Sequence, residues 1–225
     1  MRVAALISGG KDSALALYRV LKQGYKVSYL ATMIPRQADS WMFHYPNIHL
    51  TDLFAEASEI PLVKAETSGE KEVELEDLKR LLAKLDVEGV VSGAVASEYQ
   101  KTRVDAICQE LGVESIAPLW HEDPHNLLDE LVNEHFEAIF VGVYAYGFDS
   151  SWLRRTIDVK AVNALVELHR KYQISMVGEG GEYETLVLDA PFFKKKIRLI
   201  STEKVWEGQS GYLIVKEAEL AEKIY

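Results

Sequence analysis

Short apolar runs rich in β-branched residues alternate, through the first half of the chain, with segments whose apolar positions recur every three or four residues. The runs Val3–Ile7, Val27–Met33, Pro61–Ala65, Gly89–Ser92 and Glu114–Ala117 predict strands. Between them helices are predicted near Ser13–Gln23, Asp52–Glu59, Val73–Leu85 and Glu98–Leu111. In the third of these, Leu75, Leu78, Leu82 and Leu85 fall at helical spacing. The fourth opens with Ser97-Glu-Tyr-Gln100, a capping-box pattern, and Gly24 and Gly112 stand where helix C-caps belong. Strands that alternate with helices in this way build a parallel α/β sheet of Rossmann-like type.

Around Pro118 the pattern changes. Asn126–Glu134 reads as a helix, Ala138–Val143 as a strand, and Asp158 stands as the N-cap of a long helix reaching Tyr172. The runs Thr185–Leu188, Ile197–Ser201 and Tyr212–Val215 are β-like. We therefore expect two domains, 1–120 and 121–225, the second a smaller α+β unit that carries the substrate site.

Composition narrows the classes. With 225 residues and 48% hydrophobic positions, a sizeable core is within reach. The net charge of −10, without a basic tract, argues against strong nucleic-acid binding. The lone Cys108 excludes an internal disulfide and a cysteine-based zinc cluster within one chain, and it is expected to pack on the inner face of its helix. No apolar stretch is long enough for a signal peptide core or a membrane span, so a cytoplasmic protein without membrane attachment is expected. A homo-oligomer is a reasonable expectation.

The chemistry concentrates in Ser8-Gly9-Gly10-Lys11-Asp12-Ser13, between the first strand and the first helix. Glycines allow a tight turn and close backbone approach, and a helix N-terminus offers free N–H groups and partial positive charge. Ser8 and Ser13 add hydroxyls and Lys11 a cation. Asp12 repels phosphate unless a cation lies between them, which implies Mg²⁺. An ordinary strand–helix turn is the bland reading, outweighed by six matching residues in this context. Neither a Walker A loop nor a dinucleotide fingerprint is present.

The Ser-Gly-Gly-x-Asp-Ser segment resembles the PP-loop superfamily (the N-type ATP pyrophosphatases), whose members split ATP into AMP and pyrophosphate. The resemblance implies a sheet of order 3-2-1-4-5 with ATP at the carboxyl ends of its strands. Gly93 and Ala94, in the turn after the fourth strand, would then face the loop. The backbone of Ala31, Thr32 and Met33 would meet the adenine.

Three further segments are similar to the diphthine–ammonia ligase family. They are Gly93-Ala-Val-Ala-Ser-Glu-Tyr-Gln-Lys-Thr-Arg103, Trp41-Met-Phe-His-Tyr-Pro-Asn-Ile-His49 and Gly178-Glu-Gly-Gly-Glu-Tyr-Glu-Thr185. The last is the most discriminating. The resemblance implies amidation of diphthine on translation elongation factor 2 by ATP and ammonia through an acyl adenylate, with ATP and Mg²⁺ as cofactors. Lys11, Asp12, Glu182 and Glu184 are the expected catalytic residues, Asp12 being also the metal ligand. Lys101 and Arg103 are expected at ATP phosphates or the substrate carboxylate. Glu179, Glu182 and Glu184 are expected to hold the trimethylammonium of diphthine, bind ammonium or ligate Mg²⁺, with Tyr183 stacked on the cation and Thr185 beside them. His44 lies in a segment expected to close over the nucleotide or to pack as a loop. Each group has a plainer alternative, a solvated loop or a surface pair.

Two competing readings are a PP-loop tRNA-modifying enzyme and a non-catalytic ATP-binding protein of the same fold. The single cysteine disfavours thiolation through a disulfide step. With no glutaminase segment ahead of the loop, free ammonia is the expected nitrogen source.

Overall fold

The computed structural model describes residues 1–35, 47–68 and 71–223, with the side chains of 35, 71 and 72 left out. The chain divides into two compact units, Met1–Trp120 and His121–Tyr225.

The first unit is a five-stranded parallel sheet with strand order β3-β2-β1-β4-β5. Its strands are β1 (Arg2–Leu6), β2 (Lys26–Pro35), β3 (Leu62–Thr67), β4 (Gly89–Val91) and β5 (Glu114–Ile116). Its helices are α1 (Lys11–Lys22), α2 (Thr51–Ser58), α3 (Lys71–Leu82) and α4 (Glu98–Leu111). The expected order 3-2-1-4-5 is therefore observed. One face is sealed by a core in which Leu78 and Leu82 of α3 and Val104, Ile107 and Cys108 of α4 pack on Ala4, Ala31, Met33 and Val90 of the sheet. Leu75, Leu78 and Leu82 thus form the face that holds α3 down, while the helix ends at Leu82 rather than at the expected Leu85, which packs on the same core just beyond it. The hydroxyl oxygen of Ser97 accepts the Gln100 N–H at 3.3 Å, and Gly112 ends α4 in the left-handed region at φ 70°. Both caps were legible as residue types.

The second unit carries α5 (Pro124–Asn133), α6 (Val159–Tyr172) and a four-stranded sheet of order β7-β6-β9-β8. Its strands are β6 (Glu137–Val143), β7 (Tyr183–Asp189), β8 (Lys195–Glu207) and β9 (Ser210–Glu222), all antiparallel to their neighbours. Asp158 caps α6 by accepting the Ala161 N–H at 2.7 Å. Phe140 anchors the interior, with the rings of Trp152 and Tyr183 edge-on to it at 5.0 Å each.

The last two strands run to 13 residues each, far beyond the short runs Ile197–Ser201 and Tyr212–Val215. Their added length is mostly polar and is held by the backbone ladder that pairs Lys195 with Glu222 and runs on to Glu207 and Ser210, with exposed charge pairs across it. Arg198 pairs with Glu219, Lys195 with Glu222 and Lys216 with Glu203. A search for apolar alternation misses such a strand.

Candidate functional site

In the first unit, β1 ends at Leu6 and α1 begins at Lys11. Gly9 takes φ 84°, a conformation open to glycine but strained for other residues. The loop organises itself through Ser13. Its hydroxyl donates to the Gly10 carbonyl at 3.0 Å and accepts the Ser8 N–H at 3.4 Å, while Gly10 N–H donates to Ser8 Oγ at 3.3 Å. Both serine hydroxyls thus shape the loop itself, a role beside the phosphate contact expected of them. Gly10 occupies the N-cap and has no side chain to close the helix N-terminus, so the first-turn N–H groups of α1 keep the arrangement that binds anions. Lys11 is buried and its ammonium lies 2.8 Å from Asp12 Oδ2.

Gly93 stands directly against this loop. A Cβ there would lie 2.7 Å from the Ser13 nitrogen and 2.8 Å from the Asp12 carbonyl carbon. The turn after β4 and the start of α1 therefore touch, as expected, and only glycine allows it. Ala94 beside it is buried.

At the end of β2, Ile7 N–H donates to the Ala31 carbonyl at 2.9 Å, the last rung to β1. Pairing with β3 continues to Pro35. Backbone groups alternate sides along a strand, so the N–H and C=O of Met33 point past the end of β1. The Thr32 hydroxyl donates to the Ile7 carbonyl at 2.7 Å and fastens the two strand ends together.

On α4 the two cations have different surroundings. Lys101 lies 2.6 Å from Asp105 Oδ2 and 5.4 Å from the centroid of the Trp120 ring. Arg103 lies 3.5 Å over the Tyr99 ring and its Nη1 donates to the Tyr99 carbonyl at 3.3 Å. Its Nε is buried and, among the described residues, has no hydrogen-bond partner. Burial would raise the Asp105 carboxyl, but hydrogen bonds from Lys101 and Ser115 prevail and hold it below the ordinary value.

In the second unit, the 178–185 segment leads into β7. Glu182 Oε1 accepts the Ser175 N–H at 2.7 Å, while its Oε2 is buried without a hydrogen-bond partner among the described residues. Glu179 N–H donates to Ser175 Oγ at 3.4 Å. Glu184 accepts the Tyr144 hydroxyl at 3.2 Å, and Thr185 lies on β7 opposite Phe140.

Tyr183 corrects an expectation. It is 3% exposed, its ring packs against Phe140 and Phe148, and its hydroxyl donates to the Met176 carbonyl at 2.6 Å. No face of it is left for a cation. Strand alternation explains the swap, because adjacent Glu184 takes the opposite face. Tyr144, overlooked in the sequence, stands beside Glu184 instead. Its one legible signal was an aromatic residue directly after a predicted strand. His44 and the rest of 41–46 lie outside the described residues.

For a metal, the donor set offers a single carboxylate at the loop, Asp12. Among the described residues no three His, Cys, Asp or Glu side chains gather into a metal-holding group. Mg²⁺ commonly binds through one or two carboxylates together with substrate phosphates, and Asp12 fits that mode. His125 lies 3.0 Å from Asp129 within α5, an ordinary helical pair.

A parallel sheet of order β3-β2-β1-β4-β5 with a glycine-rich loop and a helix N-terminus at its switch point defines a Rossmann-like α/β protein, here followed by a smaller antiparallel unit. The chain matches the family models for the diphthamide synthase N-terminal domain over residues 1–115 and the diphthamide synthase C-terminal domain over residues 123–221. It belongs to the diphthamide synthase family, a family of ligases. The diphthine–ammonia ligase of Homo sapiens is 36% identical over 252 residues, covering 100% of this chain and 94% of that protein. The diphthine–ammonia ligase of Schizosaccharomyces pombe is 37% identical over 239 residues, covering 96% of this chain and 39% of that protein. A solved structure described as a predicted subunit of tRNA methyltransferase from Methanocaldococcus jannaschii is 16% identical, with a TM-score of 0.45 over 87% of this chain and 99% of that one, a likeness too low to bear on fold or activity.

Proposed function

We propose that this chain amidates diphthine on translation elongation factor 2, using ATP and ammonia and releasing AMP and pyrophosphate. The observation that carries this reading is the 36% identity to a diphthine–ammonia ligase over the whole chain, joined to the contact between Gly93 and the Asp12–Ser13 backbone. In the first unit, α-phosphate and pyrophosphate would lie over the first turn of α1, with Lys11 and the loop N–H groups stabilising the charge that builds as pyrophosphate leaves. The backbone of Met33 would read the adenine edge. The carboxylate oxygen of diphthine attacks the α-phosphorus, the bond to the bridging oxygen breaks, and an acyl adenylate forms. Ammonia then attacks the acyl carbon, AMP leaves, and the nitrogen sheds its extra proton. Mg²⁺ held by Asp12 and the phosphates would neutralise charge on the departing group.

Arg103 is the cation proposed for the substrate carboxylate, since Lys101 is engaged by Asp105. The 178–185 segment is proposed to select the substrate through Glu182 and Glu184. We take the enzyme to work in the cytoplasm, where its proposed protein substrate acts. Among the described residues no helix is long and apolar enough to cross a membrane.

The test combines protein, ATP, Mg²⁺, ammonium and diphthine-bearing elongation factor. Mass spectrometry should show replacement of OH by NH₂ on the factor, with pyrophosphate released in step. Glu182→Gln and Glu184→Gln should impair amidation far more than ATP affinity measured by calorimetry. Pyrophosphate release without amidation, or ATP binding without cleavage, would overturn the reading in favour of another PP-loop enzyme or a nucleotide-binding protein.

A further inference from the structure

The register of the second sheet gathers residues that the sequence separates widely. Glu184 on β7 is paired with Gly142 on β6, and Gly142 is paired on its other side with Tyr212 on β9. Directly opposed residues share a face. Glu184 and Tyr212 therefore flank a position that has no side chain. Tyr144 folds back into that gap, for a Cβ at Gly142 would lie 2.5 Å from its hydroxyl oxygen and 2.8 Å from its Cζ. The Tyr144 hydroxyl donates to Glu184 Oε2 at 3.2 Å, and the residue is 40% exposed. On the opposite face, Val143 and Tyr183 are buried in the core.

We propose that Tyr144, Tyr212 and Glu184 form a subsite for a quaternary ammonium group, which diphthine fills with its trimethylammonium. The second clause rests on the function proposed above; the first does not. Aromatic faces attract a cation through the ring quadrupole, and a carboxylate beside them adds charge without requiring a donor from the ligand. A quaternary ammonium has no N–H to satisfy, which suits a site whose carboxylate already accepts from Tyr144. Burial, with Glu184 next to it, holds the Tyr144 phenol well above its ordinary range, so the ring remains neutral and its hydroxyl remains the donor. The subsite also supplies the aromatic contact that buried Tyr183 does not.

The experiment titrates the full chain with choline, and separately with its uncharged isostere in which carbon replaces the quaternary nitrogen, following the ligand methyl resonance by NMR. Choline should shift upfield and saturate, and the isostere should bind much more weakly. Tyr144→Leu should weaken choline binding by about tenfold, the loss of one desolvated cation–π contact. Tyr144→Phe keeps the ring and should bind within about twofold of wild type. Gly142→Ala should displace Tyr144 and reproduce the leucine result, with circular dichroism confirming a folded chain. Glu184→Gln provides a second reading should Tyr144→Leu fail to fold. Equal binding of choline and isostere, no binding of choline to wild type, or wild-type binding by Tyr144→Leu and Tyr212→Leu would each overturn the subsite. Choline binding in a protein that never amidates the elongation factor leaves the subsite standing and removes the proposed function. Amidation without choline binding does the reverse.

Discussion

The ammonium of Lys11 lies 2.8 Å from Asp12 Oδ2 in the first turn of α1, with the Lys11 side chain 2% exposed and that of Asp12 30% exposed. The residue expected to meet phosphate and the residue expected to meet Mg²⁺ therefore pair with each other. A phosphate approaching α1 would compete for Lys11 and release the carboxylate towards a metal.

Asp12→Ala should thus reduce pyrophosphate release by about a hundredfold or more, the scale of losing an electrostatic element at a charge-building centre. Asp12 is partly solvated but its partner Lys11 is buried, so the substitution should also lower stability while leaving the chain folded. Urea unfolding should remain cooperative. A protein that no longer unfolds cooperatively would mark Asp12 as structural.

Gly93→Ala places a methyl group against the backbone of Asp12 and Ser13, where no side chain can swing aside. Overpacking of this kind costs about 1–3 kcal/mol. ATP affinity by calorimetry should fall along with the thermal midpoint. Unchanged ATP affinity in this variant would separate the turn after β4 from the nucleotide site.

Lys101 and Arg103 should behave differently despite being two residues apart. Lys101→Met should cost less than about 1 kcal/mol, as a partly exposed pair does, with amidation close to wild type. Arg103→Met should raise KM for the protein substrate by about tenfold, the loss of a charge-assisted bond. The pH dependence follows from Asp105, whose folded carboxyl is held below the ordinary value of 3.8. Its stabilisation is present above that value and is lost as the pH falls through the lower folded one. Lys101→Met should lose less stability than wild type over that acid window.

Cys108 is buried, and burial pushes its thiol up to about 11. Alkylation of the folded protein at neutral pH should be negligible, since the thiolate is the nucleophile. Cys108→Ser should retain turnover; its loss in a folded variant would revive covalent thiol chemistry. The raised value favours the protonated thiol in the folded state. Stability is therefore complete below the ordinary thiol range and declines as the pH rises towards about 11. Cys108→Ala should flatten that decline in alkaline urea titrations.

The Ser8–Ser13 loop was readable because its chemistry is local, whereas the turn at Gly93 was placed beside it only through the sheet order that the family resemblance implies. Glycines, a strand end and a helix start suffice to define a phosphate cradle, and parallel βα alternation leaves few sheet orders. The helix caps at Ser97, Gly112 and Asp158 were legible for the same reason. The full length of the β8–β9 hairpin was not, because beyond the short apolar runs Ile197–Ser201 and Tyr212–Val215 its strands are mostly polar and exposed.

By itself the sequence determined the α/β alternation of the first unit, the glycine-rich strand–helix turn at Ser8–Ser13 and the family signature in 178–185. These depend on residue types at short spacing. Only the tertiary structure decided that Tyr183 belongs to the core while Tyr144 stands beside Glu184, and that Lys101 is spent on Asp105 while the Nε of Arg103 is not. The reason is physical. A one-residue step along a strand reverses the face a side chain takes, and a cation's role depends on which carboxylate the fold brings within reach.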